Sequence, residues 1–211
     1  MNPCGRLSKL RGSMLARLRE LDYIINSVRI HPRSISVSFV VIELQSTWSN
    51  FVRAYYLSCA YGTRSASGVR IRLAVGRVAN EDDAMGLAVK YRNPEARPNR
   101  DGKWSRRDEP KWYAGSMVSF LRRQGISNLE KVESAYSLPG NTLVDLIVVR
   151  NYFAHRSWQT EAAAQGVARS HGVPGSLSPV DILMSKPHGA SRPLVAEWIR
   201  TIRTTSEMLC D

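Results

Sequence analysis

The stretch from Ser34 to Tyr61, "SISVSFVVIELQSTWSNFVRAYYLSCAY", contains neither proline nor glycine. Phe39, Val40, Leu44, Trp48, Phe51 and Tyr55 recur in it at helical spacing, and Ile35, Val37, Val41, Val52 and Leu57 widen the apolar face. A helix with so broad an apolar face is unstable in water unless other helices cover it. This element alone predicts an all-α chain with a central helix that ends at Gly62. Glu43, Gln45, Ser49, Asn50 and Arg53 interrupt the run, so it falls short of the roughly 18 uninterrupted apolar residues of a membrane span. No membrane partner is expected. The first residues, "MNPCGRLSKLRGSML", are basic but lack the apolar core of a signal peptide, which predicts a cytoplasmic location.

Helical periodicity continues on both sides. Leu7, Leu10, Met14, Leu18, Leu21, Ile25 and Val28 step by three and four, with Arg6, Lys9, Arg11, Arg17 and Arg19 off the stripe; "HPR" at His31–Arg33 ends that helix. Val69, Ile71, Leu73 and Val75 alternate with Arg70, Arg72 and Ala74, which fits one small β-hairpin near 68–76. The alternative is the start of a helix running on through "EDDAMGLAVKY". Residues 92–110 carry prolines, a glycine and dense charge, and read as an exposed basic loop. Further helices are expected at about Lys111–Arg123, Leu129–Tyr136, Thr142–His155 (with Asn141 as N-cap), Pro179–Met184 (capped by Ser178) and Arg192–Met208. A polar loop is expected between the helix ending at His155 and Ser178. The length of 211 residues fits a single domain, 1–211.

The formal net charge of +12 favours a polyanionic partner, nucleic acid first. Cys4, Cys59 and Cys210 are too far apart for a zinc site, and no metal or other cofactor is expected. They predict a reduced, disulfide-free chain with Cys59 in the core. No P-loop, HExxH or GxSxG pattern occurs.

The segment "LIVVRNYFAHRS" (Leu146–Ser157) is where polar residues gather on an apolar helix. On a helical wheel, Leu143, Leu146, Val149 and Phe153 form a core face. Arg150, Ala154, Asn151 and His155 follow on an adjacent stripe of roughly 140°. The small Ala154 between polar neighbours lets another helix or a substrate approach. A bland explanation also exists, since Arg and His near a helix C-terminus offset the macrodipole.

Arg150, then four residues, then His155, with Asn151 directly after the Arg, resembles the R-x(4–6)-H signature of the HEPN superfamily. "ELQSTWSNFVRAYYLSC" (Glu43–Cys59) and "EPKWY" (Glu109–Tyr113) resemble parts of HEPN proteins linked to bacterial phage defence. The likeness covers about Ile35–Ser157. It implies an antiparallel helical bundle with extra N- and C-terminal helices. It also implies a metal-independent endoribonuclease that acts as a homodimer, with two copies of the motif facing each other. Arg150, Asn151 and His155 would be the catalytic set, and the role that of a toxin or phage-defence effector with an antitoxin or defence-system partner protein. The products would be 2′,3′-cyclic phosphate and 5′-hydroxyl ends.

Arg97, Arg100, Lys103, Trp104, Arg106, Arg107 and Arg156 are the candidate RNA-binding residues, with Arg92, Lys111, Trp112 and Tyr113 interleaved. An equally weighted alternative has this loop solvated and Trp112 docked in the core. Arg64, Arg70, Arg72 and Arg77 form a second, acid-free patch. HEPN toxins paired with nucleotidyltransferase antitoxins often carry Tyr two residues after the His; Ser157 stands there, which argues against that mode of control. The competing functional reading is a non-catalytic HEPN-fold binding or regulatory module. His31, His171 and His188, beside Pro or Gly, are expected to be loop residues without a functional role.

Overall fold

The structure is a computed structural model that describes residues 5–27, 33–75, 78–112, 116–138 and 140–211. Nine helices and one two-stranded sheet occur among the described residues, so the chain is all-α with a small hairpin. In order these are α1 (Leu7–Ser27), α2 (Arg33–Tyr61), β1 (Thr63–Arg64), β2 (Arg70–Ile71), α3 (Glu81–Arg92) and α4 (Ser116–Arg123). They continue with α5 (Leu129–Ser137), α6 (Thr142–His155), α7 (Trp158–Ser170), α8 (Pro179–Met184) and α9 (Leu194–Cys210). No helix among them is long and apolar enough to cross a membrane. Val28, Cys4, His31 and Pro32 of the "HPR" segment, Arg77 and Tyr113 lie outside the described residues, whereas Arg33 opens α2.

Two compact units make up the chain, each discontinuous in sequence. The first holds Met1–Ser13, Trp48–Ser137 and Ser206–Asp211; the second holds Met14–Thr47 and Leu138–Thr205.

In the first unit, α2 is the central helix. From Phe51 to Ala60 every residue except Arg53 is buried. Its aromatic side chains meet one another and those of neighbouring elements in this core. Trp48 stacks on Phe51 (5.7 Å) and meets Tyr136 edge-on (6.0 Å), while Tyr56 lies between Trp112 (5.5 Å) and Phe120 (5.0 Å). Burial pushes the Cys59 thiol well above its ordinary range, as expected of an inert core cysteine.

Arg53 is half-buried because it is paired. Its Nε and Nη2 donate to the two oxygens of buried Glu109 at 2.8 and 2.9 Å, and Nη2 also reaches Glu81 at 2.8 Å. Trp112 Nε1 donates to the same Glu109 at 2.7 Å. The hydrogen bonds that the guanidinium donates to two carboxylates, Glu109 first, hold it firmly protonated. The end of the 92–110 loop is thereby fastened to α2. Trp112 is docked in the core.

The region after α2 is a small hairpin over 63–71, earlier than the expected 68–76. Thr63 pairs with Ile71 and Arg64 with Arg70 in an antiparallel register. The strand does not extend through Val75, which is exposed. Instead the backbone of Arg72 and Ala74 bonds to Ser127 and Gln124 after α4. Gly125 permits that approach: its φ is +63°, and a Cβ there would lie 2.5 Å from that of Ala74. Helix α3 starts independently. Asn80 caps it by accepting from Asp83 N (2.9 Å), with Glu81, Asp82 and Asp83 in the first turn and Lys90 and Arg92 in the last.

In the second unit, Met14, Leu18, Leu21 and Ile25 of α1 are buried, as are Val37, Val40, Val41 and Leu44 of α2. Arg17 joins the two helices by bonding Glu43 at 2.6 Å. Ile35 and Phe39 do not share the core face; they are 63% and 43% exposed. At about 100° per residue they fall opposite Leu44 and Trp48, so their apolarity, not their position, made them look like part of the stripe. Segment 158–170, expected as a polar loop, is helix α7. Only Ala164, Val167 and Ala168 of it are buried, too thin a stripe to stand out.

Glu109→Gln leaves the Arg53 charge with only Glu81 and should cost about 3 kcal/mol of folding free energy, read from urea denaturation. An unchanged midpoint would show that the Arg53–Glu109 pair does not anchor the first unit.

Candidate active site on helix α6

Helix α6 runs from Thr142 to His155, the expected span. Leu143, Leu146, Val149 and Phe153 are buried, so the expected core face is the observed one. Asn141 holds the N-cap position, as expected, but without a capping side chain; its own backbone is helical (φ −86°, ψ −4°). Its carbonyl accepts from Val144 N and Asp145 N, both at 2.9 Å.

At its C-terminus the chain turns sharply. Arg156 adopts the left-handed region (φ 47°, ψ 39°), alone in this among the described non-glycine residues, and its N–H donates to Tyr152 O at 2.7 Å. The next residue, Ser157, caps α7 in a capping box with Thr160. Helices α6 and α7 therefore form a hairpin with two connecting residues. Its far end is closed by Asp145 Oδ2 and His171 Nε2, 2.8 Å apart. The His171 ring also meets Trp198 edge-on at 6.5 Å. His171 thus has a structural part to play, which its loop position did not suggest.

The three candidate catalytic residues sit at the turn end of this hairpin. Arg150 and Asn151 are half-buried and His155 is exposed. Arg150 Nη1 donates to Asn151 Oδ1 at 3.4 Å, a long contact that orients more than it binds. Arg150 Nε is buried without a partner among the described residues, and no carboxylate there pairs with this guanidinium. A buried, unbonded charged donor costs about 1–3 kcal/mol or more, which an incoming oxyanion would offset. His155 lies one turn beyond Asn151, on the same side of the helix. Ala154 between them is exposed and leaves the surface open.

Trp158, three residues after His155, is 75% exposed. Nothing in its sequence context separates it from the buried Trp48, Trp112 and Trp198. Only the turn at Arg156 and Ser157 places it outside.

Of the candidate RNA-binding residues, Arg156 belongs to this unit and is exposed. Arg97, Arg100, Lys103, Arg106 and Arg107 are exposed in the first unit. Asn99 organises their loop: its Oδ1 accepts from Asp101 N (3.1 Å) and Lys103 N (2.8 Å). Trp104 is half-buried against Gly86, where an added Cβ would come within 3.0 Å of its Nε1. The cavity of about 670 Å³ beside Trp104 also holds Asp82 and Asp83, a poor lining for phosphate. Arg64, Arg70 and Arg72 are exposed on and beside the hairpin.

No protein-family model, curated protein or solved structure matches this chain.

Arg156→Gly should stabilise the protein by up to about 1 kcal/mol by relieving the left-handed conformation. Ser157→Ala should destabilise it by about the same amount through loss of the α7 cap. Paired urea titrations check both; a loss of stability in Arg156→Gly would contradict the turn geometry.

Proposed function

We propose that the protein is a metal-independent endoribonuclease of the HEPN type, acting as a homodimer whose two α6 turn ends form one cleft. The observation that supports this best is the Arg150 guanidinium beside Asn151, without a carboxylate partner among the described residues, with an exposed His155 one turn away. Cleavage of RNA through its own 2′-hydroxyl needs a proton acceptor at that hydroxyl, a proton donor at the leaving 5′-oxygen and positive charge on the phosphorane. Imidazole titrates near neutral pH and serves either proton role. One His155 takes the 2′-hydroxyl proton as the 2′-oxygen bonds to phosphorus. The His155 of the second copy gives a proton to the departing 5′-oxygen. Arg150 binds the non-bridging oxygens in a bidentate fork. Asn151 steers Arg150 or donates to the same phosphate. The products are a 2′,3′-cyclic phosphate and a 5′-hydroxyl.

The exposed basic residues Arg97, Arg100, Lys103, Arg106, Arg107 and Arg156 would carry the RNA backbone, with Trp104 at the edge of that loop. The biological role that fits is a toxin or phage-defence effector in the cytoplasm, held in check by an antitoxin or another defence-system protein.

A non-catalytic HEPN-fold binding module is the second reading. It is favoured by the exposed apolar side chains of Val144 and Trp158 on α6 and α7, which suit an interface as well as a substrate.

Incubation with tRNA and mRNA in EDTA separates the two. Wild-type protein should cleave, and Arg150→Ala and His155→Ala should each lose about 100-fold or more in rate. End-group mapping should find cyclic phosphates. Equal rates in all three proteins would remove α6 from the chemistry, and absence of cleavage by wild type would favour the binding module.

A further inference from the structure

The first unit carries three arginines side by side. Arg6 pairs with Arg64 in an isolated parallel bridge, and Arg64 is the register partner of Arg70. Residues paired in this way point to the same face with Cβ atoms about 5 Å apart. Burial identifies the faces: Leu7, Thr63 and Ile71 are buried, while Arg6, Arg64 and Arg70 are exposed. The guanidiniums thus form one outward row.

Like charges directly opposite each other destabilise a ladder. No side-chain carboxylate among the described residues offsets that here. Among the described residues none of the three has an ion pair, and their one recorded side-chain bond is Arg64 Nη1 to Gly68 O at 3.0 Å. Arg6 and Arg64 border a cavity of about 430 Å³ lined also by Ser8 and the 65–68 turn, with no acidic side chain in its wall; Arg70 continues the row beyond it. The nearby Ser67 hydroxyl donates to the main-chain oxygen of Asp211 (2.7 Å), whose carboxylate is held by Arg11 at 2.6 Å. Helix α1 starts beside Arg6 without an acid in its first turn, so its dipole adds field of the same sign.

We propose that the Arg6–Arg64–Arg70 row is a phosphate-binding cradle, separate from α6. Guanidinium forks match phosphate oxygens, and a bound phosphate removes the repulsion that the empty row carries. The phosphate group could come from a nucleic-acid backbone or from a small phosphorylated ligand, and the two sources are distinguishable.

The test compares wild type with Arg6→Gln/Arg70→Gln, which leaves the Arg64–Gly68 bond in place. The probes are inorganic phosphate, followed by thermal denaturation against chloride at equal ionic strength, and a short 2′-O-methyl oligonucleotide, followed by fluorescence anisotropy across a salt series. Neither readout contains a cleavage step, so both stand whether or not α6 is catalytic. In phosphate-free buffer the double variant should melt no lower than wild type. It should lose the rise in Tm that phosphate gives the wild type. If the source is a nucleic-acid backbone, its salt slope with the oligonucleotide should also fall by about 1.4, for two lost single-strand contacts; loss of the phosphate effect with an unchanged slope assigns the cradle to a small ligand. A wild type that responds to neither probe overturns the proposal. So does a double variant that responds as the wild type does, or one that melts markedly lower without any anion.

Discussion

Arg150, Asn151 and His155 sit at the turn end of a hairpin whose far end is held by residues remote from them, through the 2.8 Å pairing of Asp145 with His171. A two-residue connection alone would let α6 and α7 splay. With the far ends clasped, the hairpin closes at both ends and its turn end takes a defined shape. A hydrogen bond to a charged group of this kind is worth about 1.5–3 kcal/mol, comparable to burying one large apolar side chain. The contact of His171 with Trp198 then ties the clasp to α9, whose side chains help fill the core of the second unit.

The first unit repeats the pattern with different chemistry. Arg53 stands alone as the incompletely buried residue between Phe51 and Ala60, and Glu109, Glu81 and Trp112 converge on it and its partner. In both units a polar pair holds a feature that apolar packing alone would leave loose: a helix hairpin in one, a long basic loop in the other. The unpaired arginines stand apart from this logic. Arg150 in the second unit and the Arg6–Arg64–Arg70 row in the first have no carboxylate partner among the described residues, in a chain of net charge +12. Cations left without acids are where a polyanion would bind.

Much of this was legible in the sequence where periodicity was strong. Helix α6 and its buried face follow from the spacing of Leu143, Leu146, Val149 and Phe153. Helix α8 follows from Ser178 and Pro179. Legibility failed where tertiary contacts decided. Helix α7 buries so little apolar surface that its capping box, Ser157 and Thr160, was its clearest mark. Phe39 and Ile35 are apolar but point away from the core. Asn141 holds the N-cap position, but with a helical backbone and no capping side chain. The Asp145–His171 clasp had no signal at all, because its partners lie 26 positions apart and each looks ordinary alone. The candidate site itself could be read because its residues are neighbours on one helix. The clasp at the far end of their hairpin could not, because it is long-range.

The central claim is that two α6 turn ends meet across a two-fold axis. Its most direct test places a cysteine at Ala154, between Arg150 and His155, in a Cys4→Ser background. Cys59 and Cys210 are buried and do not compete for a short bis-maleimide cross-linker. The account predicts a covalent dimer formed in high yield at low protein concentration, blocked by prior capping of the new thiol. Protein that stays monomeric under the same conditions, while remaining folded, would contradict it.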